Sequence, residues 1–339
     1  MNFQMKKSKN HLLIIIAMSL ITLSACKKSS SNQSPQFNSF GSALGVSSDA
    51  ASTASFTGLI GNGVNLQPSY YNNGNVNLGF SLMKNYSSKI KTVRIEIDMV
   101  NNKQLEFNTV KSWLSQALYS GYSVILTYHD YKANGSNDTQ YVKNATNWWL
   151  THYEDLSKIG PFHVNLINEW GDHNCTLENY LKAYNPALAR LRQKFPKIGT
   201  IIIDCPGWGQ ETHTMSLAIK ALNDKEVLPS VHIYPLANAS GHTLNTADLE
   251  ELQDATNNRG AIIGEFGNYP TQPQLPGGNA DWKGLVKYAS SLNWKVLGWS
   301  WNGDGGPMNM TAPSWLNSKD PEGPLSENKP YSTEIFDLL

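Results

Sequence analysis

The sequence predicts a single (β/α)8 barrel, the TIM-barrel fold class, on three observations. Eight short apolar or alternating segments recur along residues 57–339, as expected of β-strands. Most are followed by a loop and an amphipathic segment, which favours parallel strands joined by right-handed crossovers. Eight such units in about 280 residues match the size of this barrel. A doubly wound open sheet is the alternative, but no Gly-rich phosphate loop opens any expected helix.

The expected strands come in a regular order along the chain. They are residues 61–67, 92–98, 122–130, 162–170, 199–205, 229–235, 260–267 and 294–301. Between them, apolar residues recur at three- and four-residue steps, which is typical of helices. These expected helices are residues 106–121, 138–160, 176–195, 247–258 and 281–293. Pro186 lies inside the third and is expected to kink or split it.

Residues 1–25 have the pattern of a lipoprotein signal peptide. A basic stretch, MKKSKN, precedes the apolar run HLLIIIAMSLITL, which is short for a membrane span, and LSAC ends at Cys26. This ending resembles a bacterial lipobox, so we expect cleavage before Cys26 and acylation of that residue. An ordinary signal peptide or an anchor helix is the alternative.

Residues 26–56 are expected to be the lipidated cysteine and a flexible tether, because ten Ser lie between residues 27 and 56. Residues 57–339 are then the barrel domain. The mature protein is expected in the bacterial cell envelope, anchored by lipid. The expected membrane is the outer membrane, with the protein facing either the periplasm or the cell surface.

Charge excludes one class of partner. Loss of Lys6, Lys7 and Lys9 with the signal peptide leaves 24 basic against 27 acidic residues, a net charge of −3. No basic stripe is present, which argues against nucleic acid as a partner. The protein is expected to act as a monomer.

The cysteines after Cys26 allow two interpretations. Cys175 and Cys205 are expected in neighbouring loops after strands four and five, so a disulfide is conceivable and two buried free thiols are the alternative. With His173 and His213 they have the residue types of a zinc site, but their spacing fits no compact ligand motif. No metal or cofactor is expected.

Polar and aromatic side chains cluster at the ends of the expected strands, which in such a barrel share the active-site face. They are Arg94, His129, Asp130, Asn168, Glu169, Asp204, His232, Tyr234, Glu265, Trp299 and Trp301. Any one of them alone would be an ordinary packing or surface residue. Two facing carboxyl groups suit glycoside hydrolysis, in which one donates a proton and the other attacks the anomeric carbon. Aromatic rings beside them suit the apolar faces of sugars.

The ordered set of these residues resembles glycoside hydrolase family 5, a family of (β/α)8 retaining enzymes. The resemblance covers about residues 57–310. It implies that Glu169 is the acid/base and Glu265 the nucleophile, on strands four and seven. It implies substrate or supporting contacts for six further residues, which are Arg94, His129, Asn168, His232, Tyr234 and Trp299.

A narrower resemblance concerns the substrate. The segments NEW, IIIDCPGWGQ and GWSWNG look like those of bacterial endo-β-1,4-mannanases of the family, and Trp208 and Gln210 carry the match. Trp170, Trp208 and Trp301 are therefore expected to contact substrate. The resemblance implies endo-acting, double-displacement hydrolysis of β-mannan. Hydrolysis of β-1,4-glucan by the same residues stays open, as does a carbohydrate-binding lipoprotein without catalysis.

Overall fold

The computed structural model describes residues 60–268 and 280–339, so the expected signal peptide, Cys26 and the whole expected tether lie outside the described residues. Eight parallel strands close into a barrel in the order β1-β8-β7-β6-β5-β4-β3-β2. Their bounds are β1 Gly63–Leu66, β2 Thr92–Ile97, β3 Ser123–Tyr128, β4 His163–Asn165, β5 Ile201–Asp204, β6 Val227–Ile233, β7 Ile262–Phe266 and β8 Lys295–Asn302. The predicted (β/α)8 barrel is confirmed, with each strand at its expected place.

Helices surround the barrel and follow the strands in turn. They are α1 Phe80–Met83, α2 Phe107–Tyr119, α3 Thr139–Ser157, α4 Leu177–Lys194, α5 Thr212–Ala221, α6 Thr246–Ala255, α7 Trp282–Ser291 and α8 Tyr331–Phe336. The side chains of Asp138 and Asn245 cap α3 and α6 by accepting backbone N–H groups. Across both described stretches, none of the helices combines the length and the apolar character needed to cross a bilayer.

Some predicted boundaries and helices differ from the structure. Helix α4 runs through Pro186 without a break, so of the expected kink or split the split does not occur. The buried face that includes Tyr180, Tyr184 and Leu188 keeps the helix on the barrel despite the lost hydrogen bond. Strand β4 ends at Asn165, earlier than expected, and the backbone bends at residues 168 and 169. Helices α1, α5 and α8 were not expected: α1 and α8 span only four and six residues, and none of the three has a side-chain N-cap bond.

The barrel interior changes character along its axis. Near the N-terminal ends of the strands it is filled by a small apolar cluster, which consists of Ile60, Ile125, Ile202, Leu228, Ile262 and Leu297. Above this cluster the interior is polar and buried, with Asn65, Arg94 and Asn165 fully enclosed. Alternation along β2 places Arg94 and Glu96 on the same inward face. The apolar layer thus supports a polar layer, on which the strand-end residues stand.

Candidate active site

A cleft of about 370 Å³ opens at the C-terminal ends of the barrel strands. Its lining residues are Gln67, Glu96, His129, Asn134, Asn168, Glu169, Trp208, Gln210, Tyr234, Glu265, Trp299 and Met308. A larger groove of about 550 Å³ lies on the barrel flank beside α2, but in the described chain Glu322 is its sole titratable lining residue. The cleft, which contains paired carboxyl groups, is therefore the candidate active site.

Glu169 is held by four separate contacts. Its backbone is left-handed, with φ at 48°; its N–H donates to Asp204 Oδ2 at 3.0 Å and its carbonyl accepts from Gly135 N–H at 2.9 Å. On the side chain, Oε1 lies 2.9 Å from His232 Nδ1, and Oε2 accepts from Asn134 Nδ2 at 2.9 Å. A non-Gly residue in this conformation is strained, and these contacts fix the direction of the carboxyl group.

Glu265 is held by donors that favour its ionised form. Arg94 donates to Oε1 at 2.8 Å, and the Tyr234 hydroxyl donates to Oε2 at 2.7 Å. His232 Nδ1 lies 3.5 Å from Oε1. Burial alone would raise the pKa of Glu265, but the charges of His232 and Arg94 outweigh it and lower that pKa.

The two carboxyl groups face each other with opposite protonation preferences. One ligand-type oxygen from each lies within 4.8 Å of the other. Burial and the charge of Glu265 together raise the pKa of Glu169 to about 7, although the hydrogen bond and charge of His232 oppose the shift. Near neutral pH the cleft therefore holds a carboxyl group that still carries a proton in part of the molecules beside an ionised one, which is the arrangement for proton donation together with nucleophilic attack.

His232 and His129 supply positive charge to the cleft. Burial would lower the pKa of His232, but Glu265, Asp204 and Glu169 raise it to about 9. The pKa of His129 is also raised to about 9, against burial, by Glu96 and Asp98. Both imidazoles are thus cationic near neutral pH, and the charge of His232 is shared between the two facing glutamates.

Glu96 and Asp98 belong to this network and were missed at the sequence level. Glu96 accepts from Arg94 and from Gln67 Nε2 at 2.7 Å, and burial raises its pKa. The Tyr70 hydroxyl joins Asp98 to His129 Nδ1. The alternating pattern TVRIEID places Glu96 and Asp98 on the face of Arg94, and that alternation was the signal that could have found them.

The tryptophans expected to contact substrate divide into two groups. Trp208 is 40% exposed and lines the cleft with Trp299, whose indole N–H donates to Asp304 Oδ1 at 3.0 Å. Trp170 is fully buried, packs on the tyrosines of α4 and donates to the Asp138 carbonyl. Trp301 is also buried and donates to the Leu78 carbonyl. The structure therefore places Trp170 and Trp301 in the core, not in the cleft.

Cys175 and Cys205 are buried free thiols, so the disulfide interpretation is wrong and the interpretation as two free thiols is confirmed. Burial raises the pKa of Cys175 to about 12, which keeps that thiol protonated. The suggested metal set does not converge either, because His173 bonds to Glu211 and His213 bonds to Glu251.

One group of residues does have the spacing of metal ligands. In the described chain Glu169, His232 and Glu265 place three donor atoms within 4.8 Å of one another. His232 Nδ1 lies 2.9 Å from Glu169 Oε1 and 3.5 Å from Glu265 Oε1. Ion pairing and hydrogen bonding among these three side chains account for their close spacing.

Comparisons with known proteins agree with the barrel. A mannan endo-1,4-beta-mannosidase of Streptomyces lividans is 26% identical over 208 residues, which are 58% of this chain and 50% of that protein. This chain thus spans about half the length of that curated relative. The catalytic domain of a mannanase from Streptomyces sp. SirexAA-E superposes with a TM-score of 0.63 at 18% identity, covering 83% of this chain and 85% of the other.

An endoglucanase structure has nearly the same fold similarity. The catalytic domain of an endoglucanase from Thermobifida fusca superposes with a TM-score of 0.60 at 15% identity, covering 81% of this chain and 90% of the other. The family model described as Cellulase (glycosyl hydrolase family 5) matches residues 52–305. Because that match spans most of the chain and includes both facing glutamates, the protein belongs to glycosyl hydrolase family 5.

Proposed function

We propose that this protein is a retaining endo-β-1,4-mannanase with Glu265 as nucleophile and Glu169 as acid/base. The observation that carries the proposal is the facing pair of carboxyl groups, within 4.8 Å and with opposite pKa shifts. Retaining glycosidases hold their carboxyl groups about 5–5.5 Å apart, whereas inverting enzymes leave about 6.5–9.5 Å for a water molecule. The separation found here suits retention.

The mechanism follows from the contacts of each glutamate. Glu265 attacks the anomeric carbon as Glu169 protonates the departing oxygen, which gives a glycosyl–enzyme intermediate. Glu169, now ionised, then takes a proton from water as that water attacks the same carbon. Arg94, Tyr234 and His232 favour ionised Glu265 before attack, and His232 stabilises Glu169 as a base after the first step.

Mannan is the proposed substrate because the mannanase-like motif residues line the same cleft. Trp208 and Gln210 are among its lining residues, and the named relative acts on mannan. Glucan is the second candidate, since an endoglucanase shares the fold almost as well. The shape of the barrel therefore does not distinguish mannan from glucan as the substrate, and activity measurements are needed to do so.

A panel of polysaccharides tests the substrate. We expect reducing ends to be released fastest from mannan and galactomannan, with glucomannan next and carboxymethylcellulose and xylan far slower. Viscosity should fall early, because an endo-acting enzyme cuts inside the chain. Faster release from carboxymethylcellulose would identify a glucanase, and no release from any polysaccharide would favour a binding protein without catalysis.

Azide rescue tests the two roles. Glu169→Ala should keep much of its first step on an aryl glycoside with an activated leaving group, because that group needs little protonation. Azide should then release the trapped intermediate as a β-glycosyl azide, whereas Glu265→Ala with azide should give the α product. Product anomers can be read by proton NMR, with Glu211→Ala, outside the cleft, as a control without azide products. Exchanged anomers would require the two roles to be exchanged.

The protonation of Glu169 should depend on its neighbour. Removing the negative charge in Glu265→Gln should move the Glu169 pKa from about 7 downwards, because ionised Glu169 no longer faces a second anion. A carboxyl carbon NMR titration would measure this change. Glu250→Gln, on the exposed face of α6, should leave that titration where it is; an unchanged value in Glu265→Gln would contradict the electrostatic coupling.

We also propose that Cys26 is acylated and that the mature protein is anchored in the bacterial cell envelope. Cys26→Ser should move the protein from the membrane fraction to the soluble fraction, because a single thioether-linked lipid site would be lost. Ser34→Ala in the tether should stay with the membrane. Fractionation followed by immunoblotting would measure both, and continued membrane association of Cys26→Ser would exclude the lipid anchor.

A further inference from the structure

Asn134 contacts the proposed acid/base from the loop between β3 and α3. Its side-chain N–H donates to Glu169 Oε2 at 2.9 Å, while His232 contacts the other carboxyl oxygen, Oε1. Because His232 also lies beside Glu265, the nucleophile and Asn134 are on opposite sides of the Glu169 carboxyl group. Asn134 also lines the cleft.

The loop that carries Asn134 is fixed to the segment that carries Glu169. Gly135 N–H donates to the Glu169 carbonyl, and Gly171 N–H donates to the Ser136 carbonyl. The backbone of Asn134 also forms isolated bridges with Trp170 and Gly171. Asn134 is therefore held against Glu169 by backbone bonds on both sides, and its position does not depend on its own side chain.

The second polar atom of the Asn134 side chain has no partner. Oδ1 is buried but accepts no hydrogen bond within the described chain. A buried carbonyl left without a donor costs about 1–3 kcal/mol, so such an atom beside a cleft marks a position where a ligand could supply the donor. The hydroxyl groups of a sugar are donors of this kind.

An aromatic surface lies on the same side of Glu169. A Cβ atom added to Gly135 would lie 2.1 Å from the Trp208 ring, so this ring rests directly on the residue after Asn134. Trp208 is exposed and lines the cleft. A ring face and an unpartnered carbonyl next to each other are the two elements that bind a sugar, one for its apolar face and one for a hydroxyl.

We propose that Asn134 binds a hydroxyl group of the leaving-group sugar through Oδ1 while its N–H positions Glu169. This inference rests on the proposed glycosidase function and deepens it. In a retaining reaction the acid lies between the attacked carbon and the departing sugar, so the side of Glu169 that faces away from Glu265 receives that sugar. Asn134 is thus a positioning residue for proton transfer and a binding residue for the leaving group.

Two substrates separate these roles from a general loss of structure. One is a manno-oligosaccharide, whose leaving group is a sugar, and the other is an aryl glycoside with an activated leaving group, which has no sugar hydroxyl to bind and needs little protonation. Asn134→Ala should lower kcat/KM for the oligosaccharide by about 10- to 100-fold, as expected for one or two lost hydrogen bonds. For the aryl glycoside the loss should be under about threefold.

A pH profile adds a second measurement. The N–H of Asn134 favours ionised Glu169, so both Asn134→Ala and Asn134→Asp should move the alkaline limb of kcat/KM to higher pH. Asn134→Asp should move it furthest, because it adds a negative charge beside Glu169. The other titratable groups around Glu169 are Glu265, His232, Glu96, His129 and Asp204, and all of them are unchanged in both variants.

Asn137→Ala is the matched control in the same loop. Asn137 exchanges hydrogen bonds with Asp172 and has no contact with Glu169, so the ratio of the two activities and the alkaline limb should match the wild type. Equal losses on both substrates in Asn134→Ala, with no shift of the pH profile, would overturn the proposal. A wild-type protein inactive on both substrates would instead refute the glycosidase function, which keeps the two failures distinct.

Discussion

The guanidinium group of Arg94 lies at the centre of the barrel, fully buried, and donates to side chains from four strands and from the segment after β4. Its acceptors are Asn65, Glu96, Asn165, Asn168 and Glu265. A buried cation is tolerated only when it is fully paired, and removing one partner of such a pair costs about 3–5 kcal/mol. Strand register and active-site geometry are therefore set by one group, and the barrel cannot rearrange without disturbing Glu265.

The charges around Arg94 give two chemically identical side chains, Glu265 and Glu169, opposite pKa shifts. Glu265 sits among donors and cations, whereas Glu169 has one histidine, an amide and an anionic neighbour. Because burial strengthens every charge interaction inside the cleft, these different neighbours are enough to give the two carboxyl groups different pKa values. The buried Glu96 extends this network towards the mouth of the cleft through His129 and Gln67.

Strand periodicity was enough to predict the barrel and the strand-end residues of the cleft, because strand ends in a parallel barrel converge on one face whatever the loops do. Asn134 was not predicted, because it lies in a loop whose path depends on tertiary hydrogen bonds that no sequence periodicity encodes. The prediction that Trp170 contacts substrate was wrong for a related reason. The left-handed backbone of Glu169 interrupts strand alternation, so the next side chain turns into the core. Trp301 shows that an indole near a site serves packing as readily as sugar binding.

The strained backbone at Glu169 has a consequence for how this protein can change over time. Holding a glutamate at φ 48° costs on the order of 1 kcal/mol that a glycine there would not incur. Random substitution followed by selection for thermal resistance alone would favour loss of this residue, and with it the chemistry. Catalytic activity and thermal stability thus compete at a single backbone position. Stabilising substitutions must therefore leave residue 169 unchanged and be sought in the outer helices.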